Sequence, residues 1–299
     1  MSNKVNNFKK THSINSWLNL ILSFFIIIVV FVIIVINILA KPNELVEEVG
    51  AKTFRMFTVL SNMLVAIACS MSIPFAIDGI RQKNYHLPRW IVNLIYTSVT
   101  CITLTFLISL LILSPNVGFV WVMLSNTNLF LHTIIPITAI VLFLFINTYH
   151  NIKFKATFIA ITPIVLYALI YLIFAIIIGE DDGGWRDHYH FNELMPWYFV
   201  FVIIMTIAYA IANLLRFVHN RMHQRDKTIT EAYYQNSEEY DLPTIEEVII
   251  KLARDNKKYD VGGEIIVPRR IIKFLDKKYN SNHSLAYLCN VYLEEYLKD

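Results

Sequence analysis

Read for its apolar and polar positions, the chain alternates long hydrophobic runs with short polar connections. Five runs, 17–40, 54–77, 90–113, 156–178 and 197–218, are each long enough for one bilayer crossing. A helix rising 1.5 Å per residue needs about 20 residues to cross a ~30 Å hydrocarbon core. A further stretch, 119–149, would make a helix of roughly 45 Å, too long for a single crossing unless steeply tilted. The polar pattern divides it. Gly118 to Leu131, polar at Ser125, Asn126, Thr127 and Asn128, reads as an interfacial or re-entrant piece, and His132 to about Tyr149 reads as the fourth crossing. The expectation is an all-α polytopic membrane protein, a six-helix transmembrane bundle over residues 1–219. Its first run exceeds the ~7 to 15 residues of a signal-peptide core, so it is expected to stay as a signal anchor.

From Asn220 the pattern changes abruptly: 27 of the last 80 residues are charged, against 22 of the first 219. Residues 220–299 are therefore expected to form a separate cytoplasmic helical tail. Helical spacing recurs there at Ile245, Val248, Ile249 and Leu252, then at Ile271, Ile272 and Leu275 after Pro268, then at Leu285, Leu288 and Tyr292.

Composition sharpens the class. The chain is 56% apolar and 16% charged, where an ordinary globular domain has roughly 45 to 50% and about 25%. Three cysteines cannot build a disulfide framework, and a net charge of +3 is too mild to suggest nucleic-acid binding. The distribution of basic residues sets a direction. With the N-terminus inside, Lys4, Lys9, Lys10, Arg81, Lys83, Arg89, Lys153, Lys155 and Arg216 lie on the cytoplasmic side. Only Lys41, Lys52, Arg55 and Arg186 lie outside. Both termini are expected in the cytoplasm of a cell-membrane protein.

Candidate chemistry starts in the second run. Thr58, Ser61, Asn62, Cys69 and Ser72 fall on one narrow stripe at 100° per residue, a face that must point into the bundle. Small polar residues also serve simply to pack helices closely. His132 adds weight to a functional reading, because an ionisable side chain in a span is costly and marks a site by default. With the six-span topology, Thr58 and His132 come to similar depth near the outer face. A threonine hydroxyl attacks a carbonyl only when a base takes its proton and donors stabilise the oxyanion. His132, expected to open the fourth helix, is the candidate base. Pro136 withholds a donor from its carbonyl. Asn62, Ser61, Asn126 and Asn128 are the candidate oxyanion or substrate-binding groups. Either a dyad suffices or Asp181, Asp182, Asp187 or Glu193 of the last outer loop orients the imidazole. His219 and His223 share a helical face but lack a third ligand at a recognised spacing, so they read as part of a basic juxtamembrane helix, with no metal or other cofactor expected.

The run Phe57-Thr58-Val59-Leu60-Ser61-Asn62, the segment Leu131-His132-Thr133-Ile134-Ile135-Pro136 and the aromatic loop Trp185 to Trp197 resemble the Pr6Pr family of bacterial six-helix membrane proteins. These are in turn similar to the androgen-induced membrane hydrolases that cleave fatty acid esters of hydroxy fatty acids. The resemblance covers about residues 15 to 220. It implies that Thr58 and His132 are the reactive pair and that the partner is a lipid substrate. Ser61 stands where the animal enzymes carry an acid, which puts the substrate of this chain in doubt. The resulting expectation is a membrane-embedded hydrolase of a fatty acyl ester. The alternative is a small-molecule transporter or ligand-binding membrane protein in which the same stripe lines a path.

Overall fold

A computed structural model describes residues 2–40, 49–82, 87–148, 150–187, 189 and 196–235, with the side chains of 2–13, 82 and 225–235 left aside. All regular elements among these residues are helical. Six long helices follow one another: α1 Ser2–Leu39, α2 Phe57–Gln82, α3 Arg89–Val117, α4 Asn126–Ile146, α5 Phe154–Ile178 and α6 Trp197–Gln235. Each contains a segment long and apolar enough to cross a membrane. Their boundaries follow local chemistry. The chain enters α2 through the tight turn Gly50–Arg55 and extended Met56. It enters α3 and α5 through extended residues, Pro88 and Lys153.

α3 is the most enclosed helix, with thirteen buried residues from Ile91 to Thr105. Five of its threonines and serines return their hydroxyl protons to its own carbonyls, for example Thr100 to Tyr96 and Thr103 to Val99. This back-bonding satisfies polar groups where water is excluded. The core runs from Ile26, Val30 and Ile33 of α1 through Val65 and Ala68 of α2 and Ile95, Val99 and Ile102 of α3, to Ile135, Ala139 and Phe143 of α4 and Ala208 and Ala212 of α6. Many large apolar side chains, Phe31, Leu111, Val202, Leu214 and Phe217 among them, face outward. A bundle whose outer surface is this apolar is suited to lipid contact.

The sixth apolar stretch does divide, but at a different residue. Gly118, at φ 111°, ends α3, a short helical turn Val120–Leu124 follows, and Ser125 is extended. Asn126, at φ 47°, starts α4. Asparagine tolerates that left-handed conformation better than most residues. α4 therefore begins at Asn126, and His132 stands nearly two turns inside it rather than at its N-terminus. The expected help of the helix dipole does not apply at that depth. Pro136 leaves its mark: the amide of Ile135 bonds the Phe130 carbonyl five residues back, so the helix is widened across Leu129–Ile134. The helices are widened in the same way at Ser109–Leu113, Leu142–Ile146 and Leu172–Ile178, the last ending at Gly179. α6 runs without interruption past position 219 to Gln235, across the expected boundary between bundle and tail. The three tail helices expected beyond it lie outside the described residues, as does Glu193.

Candidate active site at the Thr58 end of the bundle

Thr58 is the second residue of α2, and its side chain is buried. Asn62, one turn on and fully enclosed, donates its amide to two carbonyls: that of Thr58 at 2.7 Å and that of Leu131 in α4 at 3.2 Å. This bridge fixes α2 against α4 at one height. The residue after Leu131 is His132, so the hydroxyl and the imidazole come to the same level from two non-neighbouring helices. Ser61 bonds the Thr58 carbonyl at 3.1 Å and shares a 2.9 Å hydrogen bond with Thr105 of α3. Thr58, Ser61 and Asn62 thus form one hydrogen-bonded cluster, tied to the α4 backbone one residue before His132. No hydrogen bond joins Thr58 directly to His132 among the described contacts.

Two atoms at this level are buried with no hydrogen-bond partner: Nδ1 of His132 and Oδ1 of Asn62. Such orphaned atoms each cost about 1 to 3 kcal/mol and are rare in native interiors. The His132 ring also faces the backbone of Val122, in the turn that precedes α4. That turn is held at its other end by Thr133, whose hydroxyl donates to the Met123 carbonyl at 2.8 Å.

Asn126 and Asn128 are placed elsewhere. Asn128 donates to the Trp121 carbonyl at 3.1 Å, and Asn126 supplies the left-handed residue that starts α4; both therefore shape the turn. The Asp187 carboxylate accepts a 2.7 Å hydrogen bond from Tyr171. Asp181 and Asp182 are exposed.

Sequence reading missed the residues that wall this site. Tyr189, in the connection between α5 and α6, accepts a hydrogen bond from the Phe57 amide at 3.1 Å and is hydrogen-bonded to the side chains of Thr58 and Tyr167. Tyr167 donates to the Arg55 carbonyl at 2.8 Å. Burial pushes the Tyr189 phenol above its ordinary range despite the opposing effect of those bonds, so it is neutral at physiological pH. Trp185 stacks on Phe174 at 5.2 Å and carries the Arg55 guanidinium over its face at 5.6 Å. The signal was present in the aromatic content of the loop, yet period and spacing cannot say which ring reaches which helix.

Beside this wall lies an apolar cleft with about 630 Å³ of free space, its open mouth included. Leu104 and Ile108 of α3 form its back, α5 and α6 flank it with Ile164, Leu172, Phe201 and Met205, and Phe57 and Tyr189 close it on the Thr58 side. Thr58 and His132 do not themselves line it.

At the opposite end, His219 and His223 are buried within the fold rather than exposed on a juxtamembrane face. Their ring nitrogens face backbone carbonyls of Phe143, His150 and Thr148. Among the described residues no group of three or more His, Cys, Asp and Glu is arranged to hold a metal ion. No family model, curated protein or solved structure matches the chain.

Proposed function

We propose that this protein is a membrane-embedded hydrolase of a fatty acyl ester, with Thr58 as nucleophile and His132 as general base. The observation that carries this reading is the Asn62 bridge, which sets a buried hydroxyl level with an imidazole whose Nδ1 is enclosed and unpartnered. A nitrogen kept without a partner is ready to take a proton, whereas a structural histidine is held by its neighbours. The likeness of the Thr58 and His132 segments to the Pr6Pr family points the same way.

In the acylation half-reaction, Thr58 Oγ forms a bond to the ester carbonyl carbon while its proton passes to His132. Collapse of the intermediate breaks the ester C–O bond, and His132 returns the proton to the departing alcohol. In the second half, His132 takes a proton from water as the water oxygen attacks the acyl carbon; collapse breaks the acyl C–Oγ bond and releases the fatty acid, and His132 returns the proton to Thr58 Oγ. The substrate-free hydroxyl lies outside bonding range of the imidazole, a looseness common before substrate binds. The apolar cleft between α5 and α6 would take the hydrocarbon chain, and the positive-inside pattern of the connections would put the site on the outer side of the cell membrane.

A small, mostly apolar void near the other end, with four polar side chains in its lining, gives the transport reading its own support. Asn19, Ser72, Ser98 and Asn147 line it, and Asn19 Oδ1 is buried without a partner. A path would need polar stations at both ends. One experiment separates the two readings. Purified protein in nanodiscs is treated with a long-chain fluorophosphonate, and the labelled peptide is located by mass spectrometry. Labelling at Thr58 that disappears in Thr58→Ala and His132→Ala supports hydrolysis. Labelling that survives Thr58→Ala, or none in any form of the protein alongside solute flux through proteoliposomes, favours transport.

A further inference from the structure

The first amides of a helix have no partner within it. In α2 the amides of Val59 and Leu60 turn back to the Met56 carbonyl, and the amide of Phe57 points instead at the Tyr189 hydroxyl. The phenol oxygen has two lone pairs and one proton. It accepts from the Phe57 amide and is hydrogen-bonded to the side chains of Thr58 and Tyr167, and the Tyr167 proton goes to the Arg55 carbonyl.

The Thr58 hydroxyl is thereby engaged at Tyr189. The oxygen that receives the Phe57 amide and bonds the Thr58 side chain sits next to the nucleophile, at the positive end of a 26-residue helix. A reacting carbonyl oxygen needs that same placement, because an oxyanion is stabilised by fixed N–H donors beside the attacking group. Tyr189 also lines the cleft, which Thr58 does not, and it is hydrogen-bonded to the Thr58 side chain. The second independent feature is His132 Nδ1, buried and unpartnered, which has no proton to accept while Tyr189 holds the hydroxyl.

We propose that the Tyr189 hydroxyl stands in for the substrate's carbonyl oxygen, so that Tyr189 plugs the resting site and the Phe57 amide becomes the oxyanion donor once an ester displaces it. This inference rests on the hydrolase reading and deepens it. An ester carbonyl accepts from the Phe57 amide as the phenol does, but it has no proton to offer Tyr167. On displacement, Thr58 loses its partner at Tyr189, and its proton can turn to His132. The phenol is therefore a positioning and masking group, and the Phe57 amide is the one that touches the reacting oxygen.

The test uses the full chain in nanodiscs with the same fluorophosphonate, comparing wild type with Tyr189→Phe and Tyr189→Leu. Tyr189→Phe keeps the ring and removes only the oxygen. Labelling of Thr58 should then quicken roughly five- to tenfold, the worth of one net hydrogen bond. Hydrogen exchange of the peptide spanning 49–60 should quicken at the Phe57 amide in both variants. That readout is independent of catalysis and reports whether the contact exists in the membrane. Labelling of wild type that is matched or slowed in both variants overturns the plug while leaving the hydrolase reading intact. A wild type that is not labelled beside a Tyr189→Phe protein that is labelled supports the plug directly. Unchanged exchange at Phe57 removes its structural basis. Absence of labelling in all three proteins sinks both the plug and the hydrolase reading.

Discussion

His132 and His219 are both buried imidazoles on apolar helices, one toward each end of the bundle, and they are bonded in opposite ways. His219 lies 3.1 Å from the Phe143 carbonyl through Nδ1 and 3.1 Å from the His150 carbonyl through Nε2, and its ring stacks on Phe143 at 4.4 Å. Around it, His150 reaches the Leu87 carbonyl at 2.9 Å, and His223 reaches that of Thr148 at 2.6 Å. Asn220 pairs with both backbone groups of Ile152. Tyr96 extends the stack and donates to the Ala212 carbonyl at 2.7 Å. His132 has a buried nitrogen with no partner, and Asn62, bonded to the carbonyl of the preceding residue, has an oxygen in the same condition. The contrast separates polar residues that hold the chain together from polar residues kept open. In an interior without water, a ring nitrogen aimed at a carbonyl closes a loop or helix end that could not otherwise be satisfied. An unpartnered one costs stability, and such costs concentrate where chemistry needs a free lone pair.

Substitution at the two histidines should move different observables. The largest effect is expected for His132→Ala on chemistry: a fall of about 10² to 10⁴ in the rate of Thr58 acylation, the usual contribution of a general base. Its folding stability should fall by about 1 to 2 kcal/mol, since one hydrogen bond to the Val122 backbone is lost and none at Nδ1. A large loss of stability in mixed-micelle unfolding would break the contrast, because it would make His132 structural as well. His219→Ala should do the reverse. Stranding two carbonyls and leaving a void against Phe143 should cost about 2 to 4 kcal/mol, with acylation by the remaining folded protein unchanged.

Asn220→Ala should cost about 1 to 2 kcal/mol in the same unfolding assay, since it removes two hydrogen bonds to Ile152. An Asn220 effect as large as that of His219 would show that the whole inner cluster melts as one unit. The smallest effect belongs to Asn128→Ala, an exposed bond in the turn before α4, with a change within about 0.5 kcal/mol and unaltered acylation. Loss of acylation in that variant would restore Asn128 as an oxyanion donor and extend the open cluster to the turn.

The helices were legible because burial in lipid imposes a long apolar run on every crossing, and such runs stand out in one dimension. The division of 119–149 was legible too, from its four consecutive polar residues. The residue at which α4 begins was not, because Asn126 acts through its backbone conformation and a pattern of apolar positions does not register φ. The grouping of Thr58, Ser61 and Asn62 followed from helical period alone. Asn126 and Asn128 matched as donors by chemical type, but the turn claimed them. His219 and His223 read as a basic helix face, yet the carbonyls they meet come from residues some 70 positions away in sequence. Tyr189 was hidden for the same reason, with 132 residues between it and Phe57.

By itself the sequence determined the number of long apolar helices, the polar stripe on α2 and the presence of an ionisable ring in α4, because each is a property of composition or period within one segment. Only the tertiary structure decided which of those polar atoms are satisfied. That outcome depends on which carbonyl or hydroxyl a distant segment delivers. Pairing in an apolar interior is a property of the space between helices and of no single helix.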